Sequence, residues 1–265
     1  MPEMPEVQGL VDYLGGRLAG RRITKARVSA ISALKTYDPP IESLEGATVT
    51  SASRHGKFVD LATDGGTHLV FHLAKAGWLR WYDALPSTVI RPGKTPIALR
   101  IGFDDDSGFD LTEAGTKKSL AVYVVRDPAE VPGIARLGPD PLDASFDRDT
   151  LAGLLTGRRT QIKGVLRDQS IVAGIGNAYS DEILHAAKMS PYALAANLDD
   201  AEVDRLYAAL SATLAEAVAA ASGKPPADLK DAKRRGMRVH GRRGEACPVC
   251  GDEVRSVFFA DNSLE

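Results

Sequence analysis

Apolar residues recur at two different spacings along this chain. In residues 6–19, Val7, Leu10, Val11, Leu14 and Leu18 fall three or four apart, the spacing of one face of a helix, and Pro5 stands where a helix tolerates proline in its first turn. Over residues 22–130 the pattern shortens. Segments 47–53, 57–63, 67–73, 97–103 and 120–126 are rich in Val, Ile, Thr and aromatics, with Gly, Asp and Pro between them. That pattern predicts an antiparallel β-sandwich or barrel. Val131–Leu142 (VPGIARLGPDPL) is dense in proline and glycine and reads as a linker. Beyond it the helical spacing returns, predicting helices over 147–156, 160–168, 177–188 and 199–222. The stripe Val203, Leu206, Leu210, Leu214, Val218 of the last reads as core. The tail from Val239 is short and strand-like. The fold class expected is α+β, with an N-terminal β-sandwich and flanking helix, then a helical domain, then a small hairpin.

Composition narrows the class of protein. The 265 residues are 44% hydrophobic and 26% charged, ordinary for a soluble globular protein and enough for a core in each of two domains. The net charge of −2 does not announce a polyanionic partner, but the charge is uneven. Between Lys224 and Arg243 eight cations face two carboxylates, a local net of +6, which reads either as a phosphate-facing surface or as a solvated linker. Two cysteines, Cys247 and Cys250, exclude a secreted disulfide framework. The acidic, proline-broken start lacks the features of a signal peptide, and no apolar run approaches the ~18 residues of a membrane span. A soluble, cytoplasmic protein is expected.

The start of the chain, Met1-Pro2-Glu3-Met4-Pro5-Glu6, carries candidate chemistry. Once Met1 is removed, Pro2 presents a secondary amine. An unperturbed α-amine titrates at about 7.7–8.0, so it is partly neutral and nucleophilic at pH 7. Attack on a sugar C1′ would give a cationic iminium, an electron sink for elimination, and a neighbouring carboxylic acid could supply the proton. Glu3 and Glu6 are placed for that work. They are equally placed to stabilise a helix N-terminus through its dipole.

Five segments, in order along the chain, add context: the start MPEMPEV, Arg54-His55-Gly56-Lys57-Phe58, His72-Leu73-Ala74-Lys75-Ala76-Gly77, residues 161–191, and the tail VHGRRGEACPVCG. Together they resemble the formamidopyrimidine-DNA glycosylase/endonuclease VIII family over nearly the whole chain. The resemblance implies a base-excision-repair DNA glycosylase with AP lyase activity on oxidised or abasic DNA, working through a Schiff base on the N-terminal proline with β,δ-elimination. Pro2 would be the nucleophile, Glu3 the general acid/base and Glu6 the group orienting the terminus or sugar. Lys57 would sit on a hairpin beside the lesion, and Lys57, His72, Lys75, Lys163 and Asn177 would face DNA. The implied domains are a catalytic sandwich over 1–133, a helix–two-turn–helix domain over 134–238 and a partial zinc-finger hairpin over 239–265. The implied partner is double-stranded damaged DNA, met by a monomer associated with the nucleoid.

The chain departs from the family pattern in two respects. Cys247 and Cys250 supply one pair of zinc ligands, and a second pair, expected about sixteen residues on, would begin at about position 267, past Glu265. A structural zinc needs four ligands, so zinc is expected only with the full finger, and the sequence reads either as cut short within it or as a finger-less protein whose two thiols are left over. Lys75 stands at a loop position often occupied by methionine, and Lys117-Lys118-Ser119 stands where an Arg-x-Phe wedge is expected. These changes weaken the case for an 8-oxoguanine preference and leave room for oxidised pyrimidines, abasic sites or a divergent lesion. They also leave a second function open, a damaged-DNA-binding protein of the same fold without catalysis.

Overall fold

The computed structural model describes residues 1–91, 95–259 and 262–265. Its elements are α1 (Met4–Leu18), β1 (Ile23–Val28), β2 (Val49–His55), β3 (Phe58–Thr63), β4 (His68–His72), β5 (Gly77–Tyr82), β6 (Ile97–Phe103), β7 (Gly108–Glu113), β8 (Ala121–Val125), α2 (Pro132–Ala135), α3 (Arg148–Leu155), α4 (Ile162–Arg167), α5 (Asn177–Ala186), α6 (Asp200–Ala221), α7 (Pro226–Gly236), β9 (Val257–Phe259) and β10 (Asn262–Leu264). They divide between two compact units, Met1–Ala135 with Ala221–Lys230, and Arg136–Ala220 with Asp231–Glu265. The division differs from the three spans expected. Residues 221–230 group with the sandwich, because Leu229 and Ala221 join its core. The tail groups with the helical unit.

In the first unit two antiparallel four-stranded sheets, ordered β1-β6-β7-β5 and β2-β3-β4-β8, share one core. The alternation that predicts strands also fills this core. Leu61 of β3, Leu69 and Phe71 of β4 and Val122 and Val124 of β8 meet Leu99 and Ile101 of β6 and Phe109 and Leu111 of β7. The Phe71 and Phe109 rings stand 6.2 Å apart. The stripe Val7, Leu10, Val11, Leu14, Leu18 lays α1 on the same core. Strands β1, β5 and β7 were not predicted. Their outward positions carry Lys25, Arg27, Arg80 and Asp110, which hide the alternation.

One outward pair is buried. Arg100 on β6 and Asp110 on β7 stand opposite each other and bond twice, at 2.7 and 2.8 Å. Arg100 also donates to the carbonyls of Pro86 and Thr88, strapping that loop across the sheet. Gly77 opens β5 where the chain turns back from β4. A Cβ there would lie 2.2 Å from the Leu73 carbonyl oxygen, so only glycine fits.

In the second unit the predicted helices are present as α3 to α6, and Leu206, Leu210 and Leu214 of α6 are buried as expected. The expected linker is ordered: α2 occupies its start, and Gly138 and Pro139 pair with Gln169 and Ala173. The basic stretch is no loose linker either, since it contains α7. The hairpin expected in the tail forms from β9 and β10; Ala260 and Asp261 between them lie outside the described residues.

Candidate active site

In the first unit the chain start is built into the fold. Pro2 is buried, Glu3 is 2% exposed and Glu6 3%. Glu3 stands at the N-cap of α1, and Glu6, at the third helical position, accepts its N–H at 2.8 Å. This is the reach-back bond of a capping box. The helix-stabilising alternative is therefore real for Glu6, and it fixes the backbone that carries Glu3 and Pro2. The hairpin between β2 and β3 is tied to the same helix. Arg54 donates to the Gln8 side chain at 2.9 Å and to the Gly56 carbonyl at 3.0 Å. The positive φ of Gly56, 56°, makes the turn.

Lys57 follows that turn and is 8% exposed, not the projecting cation that a hairpin lysine suggests. Its charge bears on His72 of β4. Burial, and then Lys57, push the His72 imidazole down to about 4. His72 is thus neutral at pH 7, and its Nδ1 accepts the Ala74 N–H at 3.2 Å. A neutral imidazole would meet DNA through hydrogen bonds and not through charge. Lys75 is exposed at the tip of the β4–β5 turn. The 114–119 loop, also exposed, is anchored by Glu113, which accepts from Ser119 N and Leu120 N at 2.7 and 2.9 Å.

Sequence reasoning missed one cluster on the outer face of this sheet. Asp60, 3% exposed, is bracketed by His55 Nε2 at 3.2 Å and His68 Nδ1 at 2.8 Å, with Ser53 Oγ at 3.2 Å. Burial pushes its carboxyl up, but the bonds from His55 and His68 outweigh that and hold it below the usual range. The signal was the acid itself, at an interior position of a strand between two histidine-bearing neighbours.

In the second unit Asn177 opens α5, as expected, after Gly174-Ile175-Gly176. Gln169 holds that turn, receiving Gly174 N–H at 2.9 Å and donating to the Ile175 carbonyl at 2.7 Å. Asn177 Oδ1 is buried without a hydrogen-bond partner among the described residues, while its Nδ2 reaches Ser263 Oγ at 3.4 Å. Lys163 is already engaged within the unit. It is 4% exposed, paired with Asp181 Oδ1, and donates to the Ser263 carbonyl at 3.0 Å. Burial lowers its pKa, against the opposing pull of Asp181. To meet a phosphate it would have to exchange one of these partners. Sequence gave no sign of Asp181, eighteen residues away, as that partner.

Three side chains of α5 hold the tail. Asp181 also binds His240 Nδ1 at 2.8 Å. Glu182 accepts the N–H groups of Arg238, Val239 and His240 at 2.8–2.9 Å. His185 Nε2 lies 3.2 Å from Cys247 Sγ. The Cys247–Cys250 segment folds as a tight knuckle. Gly251 N–H bonds the Cys247 carbonyl at 2.9 Å, Val249 N–H points at Cys247 Sγ at 3.5 Å, and Gly251 takes a φ of 78°. The N–H groups of Cys250 and Val249, then His185, draw the Cys247 thiol down to about 6. A sulfur ringed by N–H donors suits a metal-bound thiolate, so the two thiols fit half of a zinc site.

A β-sandwich headed by a buried Pro-Glu start, together with a helical unit that ends in a cysteine knuckle, defines a class of DNA-repair fold, and comparison with known proteins identifies it. The descriptions "Formamidopyrimidine-DNA glycosylase N-terminal domain" and "Formamidopyrimidine-DNA glycosylase H2TH domain" match residues 1–119 and 137–225. The formamidopyrimidine-DNA glycosylase of Moorella thermoacetica is 36% identical over 97% of this chain and 94% of its own length. An uncharacterized formamidopyrimidine-DNA glycosylase-like protein of Mycobacterium tuberculosis is 53% identical over 52% of this chain and 85% of its own. Among solved structures, the Thermus thermophilus enzyme (27% identity, 99% of this chain, 96% of that one) superposes with a TM-score of 0.82. The Lactococcus lactis enzyme in complex with DNA containing an abasic site (23% identity, the same coverage) superposes at 0.86. The chain belongs to the formamidopyrimidine-DNA glycosylase family, and so to the DNA glycosylases of base-excision repair.

Proposed function

We propose that the chain is a bifunctional DNA glycosylase and AP lyase that acts, as a monomer in the cytoplasm, on double-stranded DNA carrying oxidised or abasic lesions. Pro2 is its nucleophile. The observation that carries this reading is the chain start: Pro2 buried, with two buried carboxylates, one of which fixes the backbone of the other. Met1 is 47% exposed and so open to removal, which frees the Pro2 amine.

The Pro2 nitrogen bonds to C1′ as the bond from C1′ to the base breaks and the base leaves with a proton. Glu3 protonates the sugar ring oxygen, and the nitrogen lone pair closes the iminium as the ring opens. The iminium acidifies C2′. Loss of that proton expels the 3′-phosphate, and a second elimination expels the 5′-phosphate. Lys57 neutralises the phosphates flanking the lesion, Asn177 and the N-terminus of α5 bind backbone phosphate, and exposed Lys75 reaches toward the gap the flipped nucleotide leaves. Zinc held by Cys247 and Cys250 with a second pair would cross-link the tail and take no part in the chemistry.

The test is borohydride trapping on a duplex with a single abasic site, with mass mapping of the adduct. An adduct on Pro2, lost in Pro2→Gly with DNA binding retained, is the expected result. Tight binding without an adduct, on protein shown to lack Met1, would replace this reading with a non-catalytic damaged-DNA binder.

A further inference from the structure

The contact between His185 and Cys247 plays no part in the chemistry above, and the state of the imidazole can be read from its other nitrogen. His185 Nδ1 is buried and has no hydrogen-bond partner among the described residues. Two roles are open to Nε2, which lies 3.2 Å from Cys247 Sγ. As a metal ligand it would offer its lone pair, and the ring proton would have to sit on Nδ1. That would leave a buried N–H without an acceptor. As a hydrogen-bond donor to sulfur, Nε2 carries the proton and Nδ1 keeps only a lone pair. Orphaned buried donors are rarer than under-satisfied acceptors, so the second arrangement is favoured.

The geometry agrees. Asp181, His240 and Glu265 form the only group of three such side chains, among the described residues, whose donor atoms all lie within 4.8 Å. His185 therefore does not converge with both thiols. Cys247 Sγ instead receives a third donor beside the turn N–H groups of the knuckle.

We propose that His185 is a positioning residue of the metal knuckle: its Nε2–H donates to the Cys247 sulfur, fixing the orientation of that ligand and fastening the knuckle to the end of α5. This rests on the reading of Cys247 and Cys250 as half of a zinc site. Partners of this kind orient ligands and commonly change metal affinity ten- to a hundredfold. On α5, Asp181 and Glu182 secure the bend before the knuckle, and His185, one turn on, secures the knuckle itself. The same helix begins at Asn177.

Two measurements on the full chain test this. Long-range proton–nitrogen correlation spectra of nitrogen-15-labelled protein, with His185 assigned by its loss in His185→Phe, report the tautomer. A protonated Nε2 and a bare Nδ1 are expected, with or without zinc. A protonated Nδ1 with a bare or metal-shifted Nε2 overturns the proposal. In cobalt(II)-loaded protein that carries the second cysteine pair, His185→Phe should move the sulfur-to-cobalt charge-transfer band to longer wavelength and weaken cobalt binding about tenfold, with one ion still bound. A change in the d–d bands that signals loss of a nitrogen ligand, or no spectral change at all, also overturns it. Failure of a chain carrying the second cysteine pair to take up cobalt would strike the zinc reading, and the tautomer would still decide the hydrogen bond.

Discussion

His72 shows how one residue reports on its surroundings. Its imidazole titrates near 4 in the folded chain and near 6.5 when unfolded. Between those values the unfolded chain binds the extra proton, so stability must fall as pH drops from about 6.5 to 4 and change little, on this account, at higher pH. The penalty reaches at most roughly 3 kcal/mol. Urea titrations at a series of pH values should show that loss, and His72→Gln should remove most of it. Lys57→Met should raise the His72 titration seen by NMR; an unmoved value would mean that burial alone sets it. Of the residues singled out from sequence, Glu3, Glu6 and Asn177 stand where the motifs put them. Lys57 and Lys163 are buried and His72 is neutral, none of which their motifs announce. Burial and charge pairing come from contacts between distant residues, and no local pattern encodes them.

Among the elements, the sheet β1-β6-β7-β5 depends on a feature the pattern conceals. Arg100 and Asp110 are 2% and 0% exposed and bond through both carboxylate oxygens. Removing one partner strands the other charge in the interior, a loss of roughly 3–5 kcal/mol. Asp110→Asn should therefore destabilise strongly in denaturant unfolding, whereas the double variant Arg100→Met with Asp110→Leu should recover much of the loss. Equal losses in both would indicate that the Pro86 and Thr88 carbonyls held by Arg100 matter more than its charge. The helices were legible because each buries one stripe: α1, α5 and α6 read directly from their spacing. α7 was hidden in a run of cations, yet it buries Leu229, and its Lys230 and Lys233 lie over the rings of Trp78 and Tyr179.

For the whole molecule, net charge says little and its distribution says more. If the chain binds a duplex through phosphates, affinity for abasic DNA should fall steeply with salt, by about 0.9 in the logarithmic slope for each phosphate neutralised. Lys57→Gln should lessen that slope by about one contact. Lys163→Gln should leave the slope unchanged and lower stability instead, because Lys163 is committed to Asp181 and the Ser263 carbonyl. A reduced slope with unaltered stability would return Lys163 to the phosphate-binding set.

Residues 221–230 have a consequence for how the chain is made. Gly9 of α1 packs so closely against this stretch that an added Cβ would stand 2.9 Å from Leu229 and 3.0 Å from the Ala221 carbonyl, and Trp78 donates to the Pro226 carbonyl at 3.1 Å. The first unit to leave the ribosome is thus completed by one of the later segments to emerge. Through most of synthesis α1 waits with part of its surface uncovered, and a nascent chain halted after Ala135 should engage chaperones that one released past Lys230 does not.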